Sequence, residues 1–169
     1  RAELMRVADS LGDSAAVKDL VSRSYEDWNA GRADKSVAAN LIAMAIAVRF
    51  DNNWEDANDS LRKAVKAEPD GIEANLVWGE TFLGKHAADN AALSFVEVLR
   101  RDPSNPDAHV GMARVLLEQG YDTAAAEREL TAALAVNPRH ALALATRAEL
   151  ALDAEEWDLV AALITELRR

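Results

Sequence analysis

No cysteine occurs among the 169 residues of this chain, and aromatic residues make up only 5% of it. The first absence excludes disulfide bonds and thiolate metal sites, but it leaves the compartment open between cytoplasm and periplasm. The second absence, together with the lack of β-branched runs between turn residues, argues against a β-sheet. With 50% hydrophobic residues, many of them alanine, the composition predicts closely packed helices. We therefore predict an all-α protein.

Positive charge is also scarce, since 19 Lys and Arg face 29 Asp and Glu and the net charge is -10. Binding to a phosphate backbone requires clustered Lys and Arg, so we predict no nucleic-acid partner. Long hydrophobic runs are missing as well. The longest, residues 37–50, is interrupted by Asn40 and Arg49 and is shorter than the roughly 18 residues needed to span a bilayer. We predict a buried helix there and no membrane insertion.

The signatures of catalytic and cofactor sites are absent from the sequence. It has no H-E-x-x-H, no G-x-S-x-G and no glycine-rich phosphate loop. His86, His109 and His140 lie far apart and have no carboxylate at zinc-ligand spacing, so we expect them at helix ends or on the surface. We predict no enzymatic activity, no cofactor and no metal.

What the chain does have is internal repetition. A bulky apolar residue recurs at a nearly constant interval, at Leu61, Phe95, Leu130 and Ile164. Four positions earlier a smaller residue keeps the same rhythm, at Ala57, Ala91, Ala126 and Val160. Prolines follow the apolar segments at the same period, at Pro69, Pro103 and Pro138, where each is expected to end a helix. The pattern is typical of stacked helical hairpins that bury their apolar faces against each other.

Three local features give sharper expectations. The third repeat has one extra residue between its two helices, so we predict a longer or distorted corner near Gly120 to Thr123. Trp54 and Trp157 open the second helices of their repeats at matching positions, and we expect both to wedge the helices together. Gly111 lies inside a predicted helix, where glycine costs about 1 kcal/mol relative to alanine, and the sequence offers no reason for it.

The second repeat resembles the tetratricopeptide repeat (TPR) family most clearly, through Trp78-Gly79, Phe82, Ala91, Phe95 and Pro103. The other repeats are similar with substitutions, so the resemblance covers residues 36–169. It implies a right-handed superhelical solenoid of antiparallel helix pairs. The expected divisions are an N-terminal helical cap or connector over 1–35 and four repeats over 36–69, 70–103, 104–138 and 139–169.

The resemblance also implies a concave groove, lined by the first helix of each repeat, in which a peptide or partner helix lies. By position the groove residues are Ile42, Ile46, Arg49, Glu73, Leu76, Glu80, Leu83, Asp107, Val110, Arg114, Leu117, Leu142 and Glu149. Acidic side chains outnumber basic ones in this set, which favours a partner with basic and apolar side chains. Apolar anchors would supply most of the affinity, because exposed ion pairs contribute only about 0–1 kcal/mol each.

We therefore predict a non-catalytic scaffold for protein–protein interaction. Two alternatives stay open. The chain begins at Arg1 without Met and stops at Arg169 within a helical pattern, so we expect a repeat segment excised from a larger protein. Its repeats resemble those that precede a peptidase-like domain in some large bacterial proteins. The other alternative is homo-oligomer formation through an apolar stripe on the last helix, formed by Leu159, Leu163, Ile164 and Leu167.

Overall fold

The computed structural model describes residues 14–34, 37–120 and 122–168, and all regular structure in these ranges is α-helical. The helices are α1 (Ser14–Asn29), α2 (Ala38–Phe50), α3 (Trp54–Ala67), α4 (Glu73–Leu83), α5 (Ala88–Arg101), α6 (Pro106–Gly120), α7 (Thr123–Val136), α8 (Ala141–Asp153) and α9 (Trp157–Leu167). The all-α prediction is confirmed. Each predicted repeat contains two of these helices. Residues 1–13, the start of the predicted connector, lie outside the described ranges.

Prolines mark the helix ends as the sequence predicts. α3, α5 and α7 each end two residues before a proline, at Pro69, Pro103 and Pro138. Pro106 occupies the first position of α6, where the missing N–H has no helical acceptor to lose.

The first helix ends at a glycine instead of before a proline. Gly31 follows α1 with a positive φ of 69°. This left-handed residue ends the helix, because the next N–H, that of Arg32, turns back to the carbonyl of Asp27.

The chain divides into two compact units, Arg1–Thr81 and Phe82–Arg169. In the first unit α1 packs on α2, and α2 packs on α3. α2 is apolar on nearly all sides and most of its residues are buried, which confirms the buried helix predicted for this stretch. α3 is amphipathic and turns Ala57, Leu61 and Ala64 into the same core. Val17 and Val21 of α1 join it, so the helix before the repeats shares their core.

In the second unit consecutive helices from α5 to α9 pack against each other in chain order. The residues that carry the repeat pattern lie in the contacts: Ala91 and Ala126 have no exposed surface, and neither does Leu130. Gly111 of α6 has a clear structural reason. A Cβ built on it would lie 2.5 Å from Cε1 and 2.6 Å from Cε2 of Phe95, so only glycine leaves room for this ring.

Three of the four hairpin corners share one backbone design. A non-glycine residue takes a positive φ, at Asn52 (58°), His86 (55°) and Glu155 (60°). The next N–H then bonds the carbonyl five residues back, at distances of 2.8–2.9 Å. This closes a tight corner of three or four residues between the two helices.

The third corner differs from the other three, and it is distorted but not longer. α6 continues to Gly120 and α7 begins at Thr123, so the extra residue extends the helix rather than the loop. Gly120 has no positive φ and lies in the last turn of α6. The Asp122 N–H reaches back six residues to the Leu116 carbonyl, at 3.4 Å, instead of five. Of the two predicted outcomes, the distorted corner is observed and the longer loop is not, because helix extension absorbs the extra residue.

The two tryptophans that open second helices also behave differently from each other. Trp54 is half-buried, whereas Trp157 keeps 63% of its surface exposed. Trp157 therefore does not wedge α8 and α9 together. The contact between these two helices is formed instead around Leu163, Ala151 and Leu144.

Candidate partner-binding surfaces

Five apolar residues predicted for the groove lie in the interior. They are Ile42, Ile46, Leu76, Leu83 and Val110, each at most 5% exposed. In this packing they stabilise the helices that carry the surface and offer almost no area to a partner. The accessible part of the predicted set is therefore mostly charged, except for two leucines on α6 and α8.

In the first unit, Arg49 at the end of α2 faces Glu80 of α4, with Nη1 and Oε2 3.8 Å apart. The Arg49 guanidinium also lies 5.9 Å from the centre of the Phe50 ring, within cation–π distance. Glu73, at the start of α4, is half-buried. These contacts join the first helices of two successive repeats, and they leave a mixed-charge surface on them.

In the second unit a similar link joins α6 to the start of α8. His140 Nε2 lies 3.0 Å from Asp107 Oδ1, and His140 Nδ1 accepts the Ala143 N–H at 3.2 Å. The second bond requires an unprotonated Nδ1, so the proton of the neutral ring belongs on Nε2 and is donated to Asp107. His140 thus caps α8 and joins two repeats at once, which fits the helix-end role predicted for it.

The most accessible predicted residues lie on α8. Leu142 is 45% exposed, Glu149 is exposed, and the next residue on the same face, Leu152, is 48% exposed. Spacings of seven and three positions place the three side chains on one side of the helix. On α6, Arg114 and Leu117 are half-buried. The second unit therefore presents two exposed leucines with a carboxylate between them, which we call the α8 stripe (Leu142, Glu149 and Leu152).

An exposed apolar pair on α5 was missed by the sequence analysis. Leu93 is 71% and Val96 52% exposed. The signal was present, because Ala91, Phe95 and Val98 form the buried face of α5 and residues 93 and 96 point away from it at 3.6 residues per turn.

The other histidines are held by single carboxylates. His109 places Nδ1 2.7 Å from Glu129 Oε2 and Nε2 3.0 Å from the Pro103 carbonyl. His86 lies 3.5 Å from Glu118 at an exposed corner. Within the described residues no three His, Cys, Asp or Glu side chains are grouped to hold a metal ion. In the same ranges, no helix combines the length and the apolar character needed to cross a bilayer.

No protein-family model matches the chain. A similar curated protein is the human (Homo sapiens) Protein O-mannosyl-transferase TMTC3, which is 29% identical over 94 residues, covering 56% of this chain and 10% of TMTC3. Among solved structures, PilW, a widely conserved type IV pilus biogenesis factor, matches with a TM-score of 0.69 at 20% identity over 97% of this chain and 71% of PilW. The fold is TPR-like. The likeness to PilW, at 20% identity, concerns the fold alone. The chain spans only about a tenth of the length of TMTC3.

Proposed function

We propose that this chain is a non-catalytic TPR scaffold that binds a peptide or a partner helix on the surfaces of its first helices. The proposal is supported by the in-phase repeats and by the TPR-like fold. The observation that carries it is the α8 stripe, in which two exposed leucines flank an exposed carboxylate on a first helix, the helix that lines the groove in the TPR arrangement.

The chemistry of the partner follows from the accessible residues. Glu149 lies between the two exposed leucines, and Asp107 of α6, which bonds His140, adds a second carboxylate in the same unit. A partner with apolar side chains and Lys or Arg between them is complementary to this pattern. The leucines supply most of the affinity and the carboxylates supply selectivity and speed of association, because exposed ion pairs are weak.

An array of synthetic 12-residue peptides with alternating leucine and lysine tests the proposal, with glutamate in place of lysine as the charge control. The test variant is Leu142→Ser with Leu152→Ser, and the matched control is Leu93→Ser with Val96→Ser, which removes an even more exposed apolar pair from α5. We expect the test variant alone to lose binding to the lysine peptides. Equal binding by both variants, or equal binding of both peptide sets, contradicts the proposal.

A second candidate function is that of a non-catalytic part of a larger protein. The observation in its favour is that the matched region makes up only 10% of TMTC3. On this proposal the repeats position another domain or its substrate, and any reaction belongs to residues outside this chain.

Self-association through α9 is the third candidate. Leu163 is buried, but Leu159, Ile164 and Leu167 are exposed on the last helix. Sedimentation equilibrium over a range of protein concentrations tests this candidate, with Ile164→Ser and Leu167→Ser as the variant. A monomer at every concentration rules it out.

A further inference from the structure

A cleft of about 340 Å³ opens in the second unit between α7, α8 and α9. Leu150 and Ala151 of α8 form its apolar floor, and Leu159 of α9 forms one side. Polar groups line the remainder: Glu127 of α7, Arg147 of α8 and Glu156 at the start of α9. Arg147 and Glu127 form an ion pair across the cleft, from Nη2 to Oε1.

Two of the lining residues, Thr123 and Arg147, stand at repeat positions that tryptophan occupies in the first unit. Arg147 and Glu127 lie two repeats after Trp78 and Asn58, at the same positions of the pattern. Trp78 packs against the core of the first unit and donates its indole N–H to Asn58 Oδ1 at 2.6 Å. Thr123, which also lines the cleft, lies two repeats after Trp54. Tryptophan at these two positions is thus replaced by threonine and arginine, and in the second unit a cleft lies between the helices.

The polar groups of the cleft retain hydrogen-bonding capacity. Glu127 uses Oε1 for Arg147, and a carboxylate has about four acceptor sites in all. The Nε of Arg147 is buried, and no acceptor among the described residues lies within hydrogen-bonding distance of it. A buried donor without an acceptor is unfavourable, so Arg147 retains hydrogen-bonding capacity that its ion pair with Glu127 does not use.

The charge around the cleft is negative. The corner that joins α8 to α9 carries Asp153, Glu155, Glu156 and Asp158, all of them exposed. Among the described residues that line the cleft, Arg147 is the one cation and pairs with Glu127, whereas Glu156 adds a second carboxylate. A cationic group beside the cleft is therefore favoured, and an anionic one is repelled.

We propose that this cleft binds an aromatic side chain that has a positive charge next to it, presented by a protein partner. The ring takes the place that Trp78 takes at the equivalent position of the first unit, and its donor group bonds Glu127 as the Trp78 indole bonds Asn58. The neighbouring cation faces the acidic corner. Arg147 and Ala151 lie on the side of α8 opposite the α8 stripe, so this site is separate from the surface of the proposed function.

Tryptamine, an indole with a cationic amine, is the probe, and indole-3-acetate is its anionic counterpart. In ¹H–¹⁵N correlation spectra of the whole chain we expect tryptamine to shift the amides of Glu127, Leu150, Ala151 and Leu159. Indole-3-acetate is expected to bind about fivefold more weakly, the ratio that corresponds to the upper end of one exposed charge interaction. No shifts up to the solubility limit of tryptamine, or equal affinity for both compounds, overturns the proposal.

The double variant Glu127→Asn with Arg147→Trp rebuilds the Trp78 arrangement and fills the cleft from within. We expect it to lose tryptamine binding. Ala124→Trp covers the cleft from an exposed position of α7 and gives a second reading that does not depend on the core. Arg128→Trp, exposed on the same helix and not part of the lining, is the control that keeps binding. Undiminished binding by both cleft variants overturns the proposal.

A second copy of the chain is the competing occupant, because Trp157 is exposed beside the cleft. If dilution of the wild-type protein shifts the cleft amides, and Trp157→Ala abolishes that dependence, a second copy fills the cleft and the assignment to another protein is wrong. Peptide binding to the α8 stripe is read separately, with Leu142→Ser and Leu152→Ser, so failure of one proposal does not decide the other.

Discussion

The ring of Phe95 lies in the space into which a side chain on Gly111 would project. The equivalent positions in the first unit are Leu61 and Val77, which share one buried cluster. In the second unit the large Phe95 on a second helix thus meets Gly111 on the next first helix. In the first unit Leu61, which is smaller than Phe95, and Val77, which is larger than Gly111, occupy the same two positions. Both pairs place the same number of side-chain heavy atoms in the contact, as a close-packed interior favours.

Gly111→Ala tests this relationship. Although alanine favours a helix, its Cβ would overlap the Phe95 ring, and we expect the free energy of unfolding to fall by about 1–3 kcal/mol. Urea denaturation followed by circular dichroism measures the change. A gain in stability, as helix propensity alone predicts, would contradict the finding.

The matched experiment is the double variant Gly111→Ala with Phe95→Leu. Leucine is the residue at the equivalent positions 61 and 130, and its shorter side chain leaves room for the new Cβ. We expect the double variant to be more stable than the sum of the two single changes indicates, which a double-mutant cycle measures as a coupling energy.

Gly120 provides the opposite case within the same helix. It has a helical φ, and a Cβ built on it would meet nothing within 4 Å. Gly120→Ala should therefore raise the unfolding free energy by about 0.5–1 kcal/mol, because alanine restricts the unfolded chain and favours the helix.

Gly31→Ala is its control, since Gly31 has an equally open surrounding but a φ of 69°. There we expect a loss of about 1–2 kcal/mol from forcing alanine into the left-handed region. Thermal melts of both variants should move in opposite directions.

Ala126→Leu and Ala135→Leu compare the same substitution at a buried and at an exposed position of α7. Ala126 has no exposed surface and lies in the cluster with Val110 and Leu130. We expect the first change to destabilise by about 1–3 kcal/mol through overpacking, whereas the second alters stability by less than about 0.5 kcal/mol. Equal melting temperatures would show that the α6–α7 contact is looser than the structure indicates.

Tyr25 makes the free energy of unfolding depend on pH in the alkaline range. Its hydroxyl donates to Asp51 Oδ2 at 2.6 Å. Burial, and then the hydrogen bond to Asp51 and the charges of Asp51 and Asp56, raise the pKa of Tyr25 from 10.0 to about 12. Because the folded pKa is the higher one, the stabilisation is fully present below pH 10 and is lost as the pH rises through 12. Tyr25→Phe should remove this part of the pH dependence.

The titration itself can be observed directly, because the chain has two tyrosines and Tyr121→Phe leaves Tyr25 alone. We expect its absorbance change near 295 nm to be centred near pH 12 in the folded protein. A midpoint near pH 10 would contradict the bond to Asp51.

The helices and their phases could be predicted from the sequence, because Ala57, Ala91 and Ala126 recur in step and prolines end the second helices. The accessible face of the first helices could not be predicted. α2 and α4 are apolar on several sides, so no polar stripe indicates which residues face outwards, and Ile42, Ile46 and Leu76 prove to be buried. Repeat position gives the angle of a side chain about its helix, but not how far a neighbouring helix covers it.

The prediction of a longer loop at the third corner was wrong for a different reason. Spacing revealed the extra residue, but a glycine at position 120 suggested a turn, whereas a helix end accepts glycine equally well. The cleft beside Arg147 was readable in principle by comparing equivalent positions two repeats apart. That comparison has meaning only once the bond between Trp78 and Asn58 is known, because it shows that the two positions face each other.

The left-handed residues at the hairpin corners, Asn52, His86 and Glu155, have exposed side chains, and a backbone hydrogen bond closes each of these turns. Since the chain has no cysteine, a thiol introduced at one of these places would be unique in the molecule. Attached at Asn52 or His86, a fluorophore or spin label would report on ligand capture without touching the packed interior or the acidic corner around Glu155 that is proposed to face the partner's cation.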